Sequence, residues 1–124
     1  MADKPYQLII VEAVQALTNN NLASFTGTDL STVGLAEDYS GTVPTTAQIQ
    51  AKIDELMPDF AMEVLREKRD KLIAETDWWA NSDITMTAAQ TTYRQALRDL
   101  PANTTNPVVD TAGNLTGVTW PTKP

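Results

Sequence analysis

Apolar side chains recur at helical spacing over several stretches of the chain, and short β-prone pieces fill some of the gaps between them. Residues 6–17, YQLIIVEAVQAL, set Ile10, Val14 and Leu17 on one helical face. Leu8-Ile9-Ile10-Val11 alone would also suit a buried strand. Glu12-Ala13 and Gln15-Ala16 are good helix formers, however, and they favour a helix that stops at the polar cluster Thr18-Asn19-Asn20-Asn21. Residues 22–43 then hold β-prone fragments broken by Gly27, Gly34 and Gly41: Leu22 to Thr26, Thr32 to Leu35, and Tyr39 to Val43 as a third. Two short strands are marginal in water, so this part must pack on the first helix or on a partner chain.

Thr45 with Gln48 three residues on has the form of a capping box, and Ile49, Ile53, Leu56 and Met57 follow as an apolar stripe. Pro58 interrupts it. An unbroken helix over 46–76 would run about 46 Å at 1.5 Å per residue, long for a domain of this size, so Pro58 is read as the first turn of a separate helix. That helix ends near Thr76 and buries Phe60, Val64 or Leu65, Leu72 and Ile73. Its other side, with Glu63, Arg66, Glu67, Arg69, Asp70 and Lys71, is a solvated charged face with pairs such as Arg66 to Asp70. A second capping box, Thr87 with Gln90, opens another helix, expected to close at Asp99-Leu100 because Pro101 has no N–H to donate. The loop between them carries Trp78 and Trp79, and the two helices fold back as an αα-hairpin. Beyond Pro101, two β-prone runs around Gly113-Asn114 predict a hairpin, and Trp120-Pro121-Thr122-Lys123-Pro124 a stiff extended tail. The expected fold is mainly α with small β elements. Residues 1–57 form an acidic α+β segment, and residues 58–124 a helical-hairpin module with a C-terminal β-hairpin and tail.

Composition narrows the function. Across 124 residues there is no Cys and no His, which removes thiolate chemistry, the commonest metal ligand and the usual general base. Net charge is −7 and uneven: residues 1–65 hold two Lys against nine acids, whereas residues 66–99 balance six bases with six acids. Such a chain is a poor ligand for nucleic acid, where phosphate contacts dominate affinity. Leu8-Ile9-Ile10-Val11 is too short to span a bilayer, and Asp3, Lys4 and Glu12 argue against a signal peptide. Carboxylates such as Asp54-Glu55 or Asp77 and Asp83 show no pocket to tune them, and the five glycines form no phosphate-binding loop. A small carboxylate-dependent hydrolase or transferase is the weaker alternative. No catalytic residue, cofactor or metal is expected.

The aromatic residues say more. Trp78, Trp79, Tyr93 and Trp120, with Arg94 and Arg98, gather around the helical hairpin, and Trp, Tyr and Arg dominate interface energetics. One Trp can cap the hairpin core while Trp120 clips the tail onto the helices. Adjacent Trp residues point in different directions, so one of the pair should be exposed or at an interface. Tyr93 and Leu97 share a face and should pack inward. Arg94 and Arg98, one position round, should line the surface within reach of Asp77 or an acidic partner. All six are candidate partner contacts.

The run Arg66-Glu-Lys-Arg69-Asp70-Lys-Leu72, then Thr76-Asp77-Trp78, Tyr93-Arg94-Gln95-Ala96-Leu97-Arg98-Asp99-Leu100-Pro101, Asn106-Pro107 and Trp120-Pro121 resembles the tail assembly chaperone family of tailed bacteriophages over about residues 63–124. Upstream, Pro44-Thr45 with Ile49, Lys52-Ile53 and Leu56 looks like segments preceding this module in small phage tail proteins. Where the family pattern has a Trp three residues before the Tyr-Arg pair, this chain has Gln90, and Trp79 is the candidate to fill that space. The resemblance implies a non-enzymatic viral protein that binds other tail or tail-fibre subunits. It would act as an assembly chaperone in the host cytoplasm or as an adaptor kept in the virion tail, with homo-oligomer formation open.

Overall fold

The computed structural model describes residues 4–124, so Asp3 and the rest of the first three residues of the expected N-terminal segment lie outside it. The order of elements is α1 (Lys4–Thr18), β1 (Leu22–Thr26), β2 (Asp29–Leu35), α2 (Thr46–Glu75), a 3₁₀ turn (Asp77–Ala80), α3 (Ala88–Asn103), β3 (Val108–Val109) and β4 (Leu115–Thr116). The fold is mainly α with two small antiparallel hairpins.

The Asn triplet ends α1 by direct bonding. Thr18 is buried with its Oγ1 donating to the Val14 carbonyl at 2.7 Å, and Asn21 Nδ2 donates to the Thr18 carbonyl at 2.6 Å. Asn19 and Asn20 take left-handed backbone at φ 53° and 68°, which Asn tolerates better than most residues. β1 and β2 meet through a two-residue loop with Gly27 at its first position at φ 56°, the position where glycine lets a tight hairpin turn follow the strand twist. Leu22, Phe25, Leu30, Val33 and Leu35 turn one side of this hairpin onto the core. The third β fragment is not a strand: over Tyr39 to Val43 the chain curls locally, with the Tyr39 hydroxyl donating to the Thr42 carbonyl at 2.7 Å.

Both capping boxes form. Thr45 Oγ1 accepts from the Gln48 N–H at 3.1 Å and Thr87 Oγ1 from the Gln90 N–H at 3.1 Å, each reciprocated by the Gln side chain at 2.9 Å. The prolines behave otherwise than expected. Pro58 starts no helix; it sits inside α2, which runs for 30 residues, or about 45 Å, through position 57/58 without interruption. Met57, Phe60 and Ala61 are buried on either side of it, and this packing holds both flanks in helical register while the proline ring faces solvent. An interior proline costs about 3 kcal/mol, which burial of its neighbours offsets. Length was a poor criterion here, because α2 supports two separate clusters instead of crossing one compact core. Pro101 likewise lies within the last turn of α3, which extends to Asn103 and closes with Thr104 Oγ1 donating to the Leu100 carbonyl at 2.7 Å.

The larger cluster joins Tyr6, Ile9, Ile10, Ala13 and Val14 of α1 to Ile49, Ile53, Met57, Phe60 and Ala61 of α2, with Val109 of β3 inserted. The smaller one joins Trp79, Tyr93 and Leu97, flanked by Leu72, Ile73, Met86 and Trp120. Along the charged face of α2, Asp70 pairs with Arg69 at 2.9 Å and not with Arg66. No helix of the described residues is long and apolar enough to cross a membrane.

Candidate partner-binding site

The site begins where α2 ends. Thr76 is fully buried; its N–H bonds the Ile73 carbonyl at 3.0 Å, and its Oγ1 donates to the same oxygen at 2.9 Å. The 3₁₀ turn follows, with the Trp79 N–H donating to the Thr76 carbonyl at 3.0 Å. This tight turn sends the neighbouring indoles opposite ways. Trp79 is 4% exposed and Trp78 is 56% exposed, their rings 6.2 Å apart and edge-on at 76°. Trp79 meets Tyr93 at 6.1 Å, within the range where tilted aromatic pairs attract. Leu97, one turn along α3, completes the packing from below, and Trp120 closes the side. The inward face expected for Tyr93 and Leu97 is the one observed. Of the Trp pair, Trp79 joins the core, beside Tyr93, while Gln90 serves the α3 cap.

Arg94 is a correction. It does not line the surface; it is 7% exposed, and its Nη1 donates to Thr76 Oγ1 at 2.8 Å and to Asp77 Oδ1 at 3.3 Å, with a long contact to the Ile73 carbonyl at 3.5 Å. The reason lies in what α2 presents at its C-terminus: the Thr76 hydroxyl, the negative end of the helix dipole and the Asp77 carboxylate converge on one spot. A buried guanidinium meets all three. Arg94 therefore latches α3 onto the end of α2 and holds the 3₁₀ turn that presents Trp78. Arg98, one turn on, remains exposed.

The structure thus brings together Trp79, Tyr93, Arg94 and Trp120 within the hairpin and leaves Trp78 and Arg98 facing solvent. Two further residues belong to the region. Thr76 supplies the buried acceptor for Arg94, and Ile84, 42% exposed, adds a second large apolar side chain to the connection that carries Trp78. An isolated isoleucine in the polar run Asn81-Ser82-Asp83-Ile84-Thr85 was the signal available for the latter. Burial pushes the Tyr93 phenol above its ordinary value, and the Glu75 carboxylate adds in the same direction. Among the described residues no group of carboxylates is arranged to hold a metal ion. What the arrangement offers is a rigid, partly apolar surface centred on one indole.

A family model described as phage tail assembly chaperone protein matches residues 62–124. The chain belongs to the phage tail assembly chaperone protein family. The matched stretch takes in the second half of α2, the 3₁₀ turn, α3, β3, β4 and the C-terminal segment, and so the whole Trp79–Tyr93–Leu97 cluster and the turn carrying Trp78. α1, β1 and β2 lie outside it. No curated protein and no solved structure is significantly similar to the chain. Membership gives the chain a role in phage tail assembly.

Proposed function

We propose that this member of the phage tail assembly chaperone family is a non-enzymatic protein that binds other tail or tail-fibre subunits, acting as an assembly chaperone in the host cytoplasm or as an adaptor retained in the virion. The observation that carries the reading is Trp78. A large indole more than half exposed, braced edge-on by a buried neighbour, has the rigidity and apolar area of an interface anchor. The 3₁₀ turn and the Arg94 latch fix its direction, so little conformational entropy remains to be lost on binding. Ile84, also exposed, lies on the same connection, and Arg98 is an exposed charge on α3.

Affinity capture of the full chain from infected cells, read by mass spectrometry, is expected to return tail or tail-fibre subunits in stoichiometric yield. Capture that returns none of them overturns the proposal. The same peptides measured in purified mature particles separate the two roles: an adaptor stays at a fixed ratio to a tail protein, and a chaperone is lost.

A further inference from the structure

Residues 117–124 leave β4 and run back across the helical hairpin as a strap. Gly117 makes the turn at φ 78°, and a Cβ there would lie 2.7 Å from the Asn106 carbonyl oxygen, so the folded-back course requires glycine. Beyond this point, no backbone–backbone hydrogen bond ties the strap to the rest of the chain among the described residues. Its attachment is through side chains. Trp120 packs against the cluster that Trp79, Tyr93 and Leu97 form, and Lys123 Nζ stands 5.9 Å from the centre of a Trp79 ring and 3.8 Å from Glu75 Oε1. Along one flank the strap borders an open groove of about 930 Å³, between Thr119-Trp120-Pro121 and the α3 residues Thr92, Gln95 and Asp99.

A segment hinged at one left-handed glycine, with no backbone ladder and an open flank, can leave its seat while α2 and α3 stay in place. We propose that the strap is exchangeable, and that the seat formed by Trp79, Tyr93 and Leu97 takes the strap of a second copy of this chain in a reciprocally exchanged dimer. Complementarity selects this occupant. The seat is shaped around Trp120 with Glu75 beside Lys123, and every copy carries one seat and one strap. Reciprocal exchange restores the contacts at both seats, with the chain opened at both Gly117 hinges. The crossing segment also suits an acidic body, since Lys123 is its one charged side chain whereas the chain as a whole carries −7. This inference uses a different face from Trp78 and stands apart from the identity of any tail partner.

Gly117→Ala in the full chain tests it, because the substitution strains the folded-back turn and leaves seat and anchor untouched. Size exclusion with light scattering is expected to show a dimerisation constant raised at least tenfold over the unsubstituted chain. Adding Trp120→Ala to the same chain should return it to monomer with unchanged helical circular dichroism. A Gly117→Ala chain that stays monomeric over the whole concentration range overturns the proposal, as does a double variant that dimerises equally well. A second arm is independent of that variant's folding. A fluorescent peptide of residues 117–124 should bind the Trp120→Ala chain, whose own strap no longer competes, at least tenfold more tightly than the unsubstituted chain. Equal or absent binding to Trp120→Ala overturns the exchange.

Discussion

Around the first half of α2, eleven buried residues from α1, α2 and β3 share the packing, nearly all of them aliphatic or small. Around its far end only three side chains are buried in the cluster, two of them aromatic, and a buried arginine stands beside them. The first region spreads its stability over many interchangeable apolar contacts, which cores tolerate well when volume is kept. The second concentrates it in a few directional ones: the tilted Trp79–Tyr93 pair and the Arg94 latch. Concentration of this kind suits a part that must hold one exposed side chain, Trp78, in a fixed direction. On the proposed reading, the difference separates a scaffold from a half that presents a surface.

The comparison can be broken first at Trp79. Trp79→Ala removes the centre of the small cluster and is expected to cost about 3–5 kcal/mol. Amide hydrogen exchange should then show α3 losing protection while α1 keeps it; equal loss in both helices would mean that the two regions unfold as one. Next in size comes Arg94→Met, which takes the charged donor away from Thr76 Oγ1 and the Asp77 carboxylate, although Thr76 Oγ1 keeps its bond to the Ile73 carbonyl. A loss of about 1.5–3 kcal/mol is expected for removing hydrogen bonds made by a buried charged group, measured by urea denaturation. The caps sharpen the comparison from the other side. Thr45→Ala and Thr87→Ala each remove a capping box, one in each region, and each should cost about 1 kcal/mol because a cap acts locally whatever lies beneath it.

The smallest effect is one of pH. In the unfolded chain the Tyr93 phenol ionises near 10.0, and in the folded chain burial and then the Glu75 carboxylate raise that value. The folded state thus holds the proton more tightly; this contribution is complete below pH 10 and is lost as pH rises through the folded value. Melting temperature should fall more steeply above pH 10 for the unsubstituted chain than for Tyr93→Phe, with the two nearly equal at pH 7.

What was legible in the sequence was what is decided within a few residues. The Thr45–Gln48 and Thr87–Gln90 boxes, the Asn19-Asn20-Asn21 stop and the hairpin around Gly113-Asn114 depend on neighbours in the chain, and each forms. Pro58 was misread because local propensity yields to burial on both sides of the proline, which no short window displays, and Pro101 because it falls in a last turn that Thr104 closes onto the Leu100 carbonyl. Tyr39 to Val43 was misread because its β-prone residues find no ladder partner. Arg94 was placed outside because its acceptors converge only once α2 has ended and the chain has turned; Ile73, Thr76 and Asp77 lie some twenty residues upstream. That one of two adjacent Trp residues must face out was readable from geometry. That it is Trp78 was not, since the direction of each indole is set by the 3₁₀ turn.

The most direct test of the account is calorimetric titration of the purified full chain, unsubstituted and as Trp78→Ala, with the tail or tail-fibre subunit that co-purifies with it. Trp78 is more than half exposed and outside the buried cluster, so its removal should lower the melting temperature far less than Trp79→Ala does and weaken binding at least tenfold, about 1.4 kcal/mol. Unchanged affinity for that subunit would contradict the account.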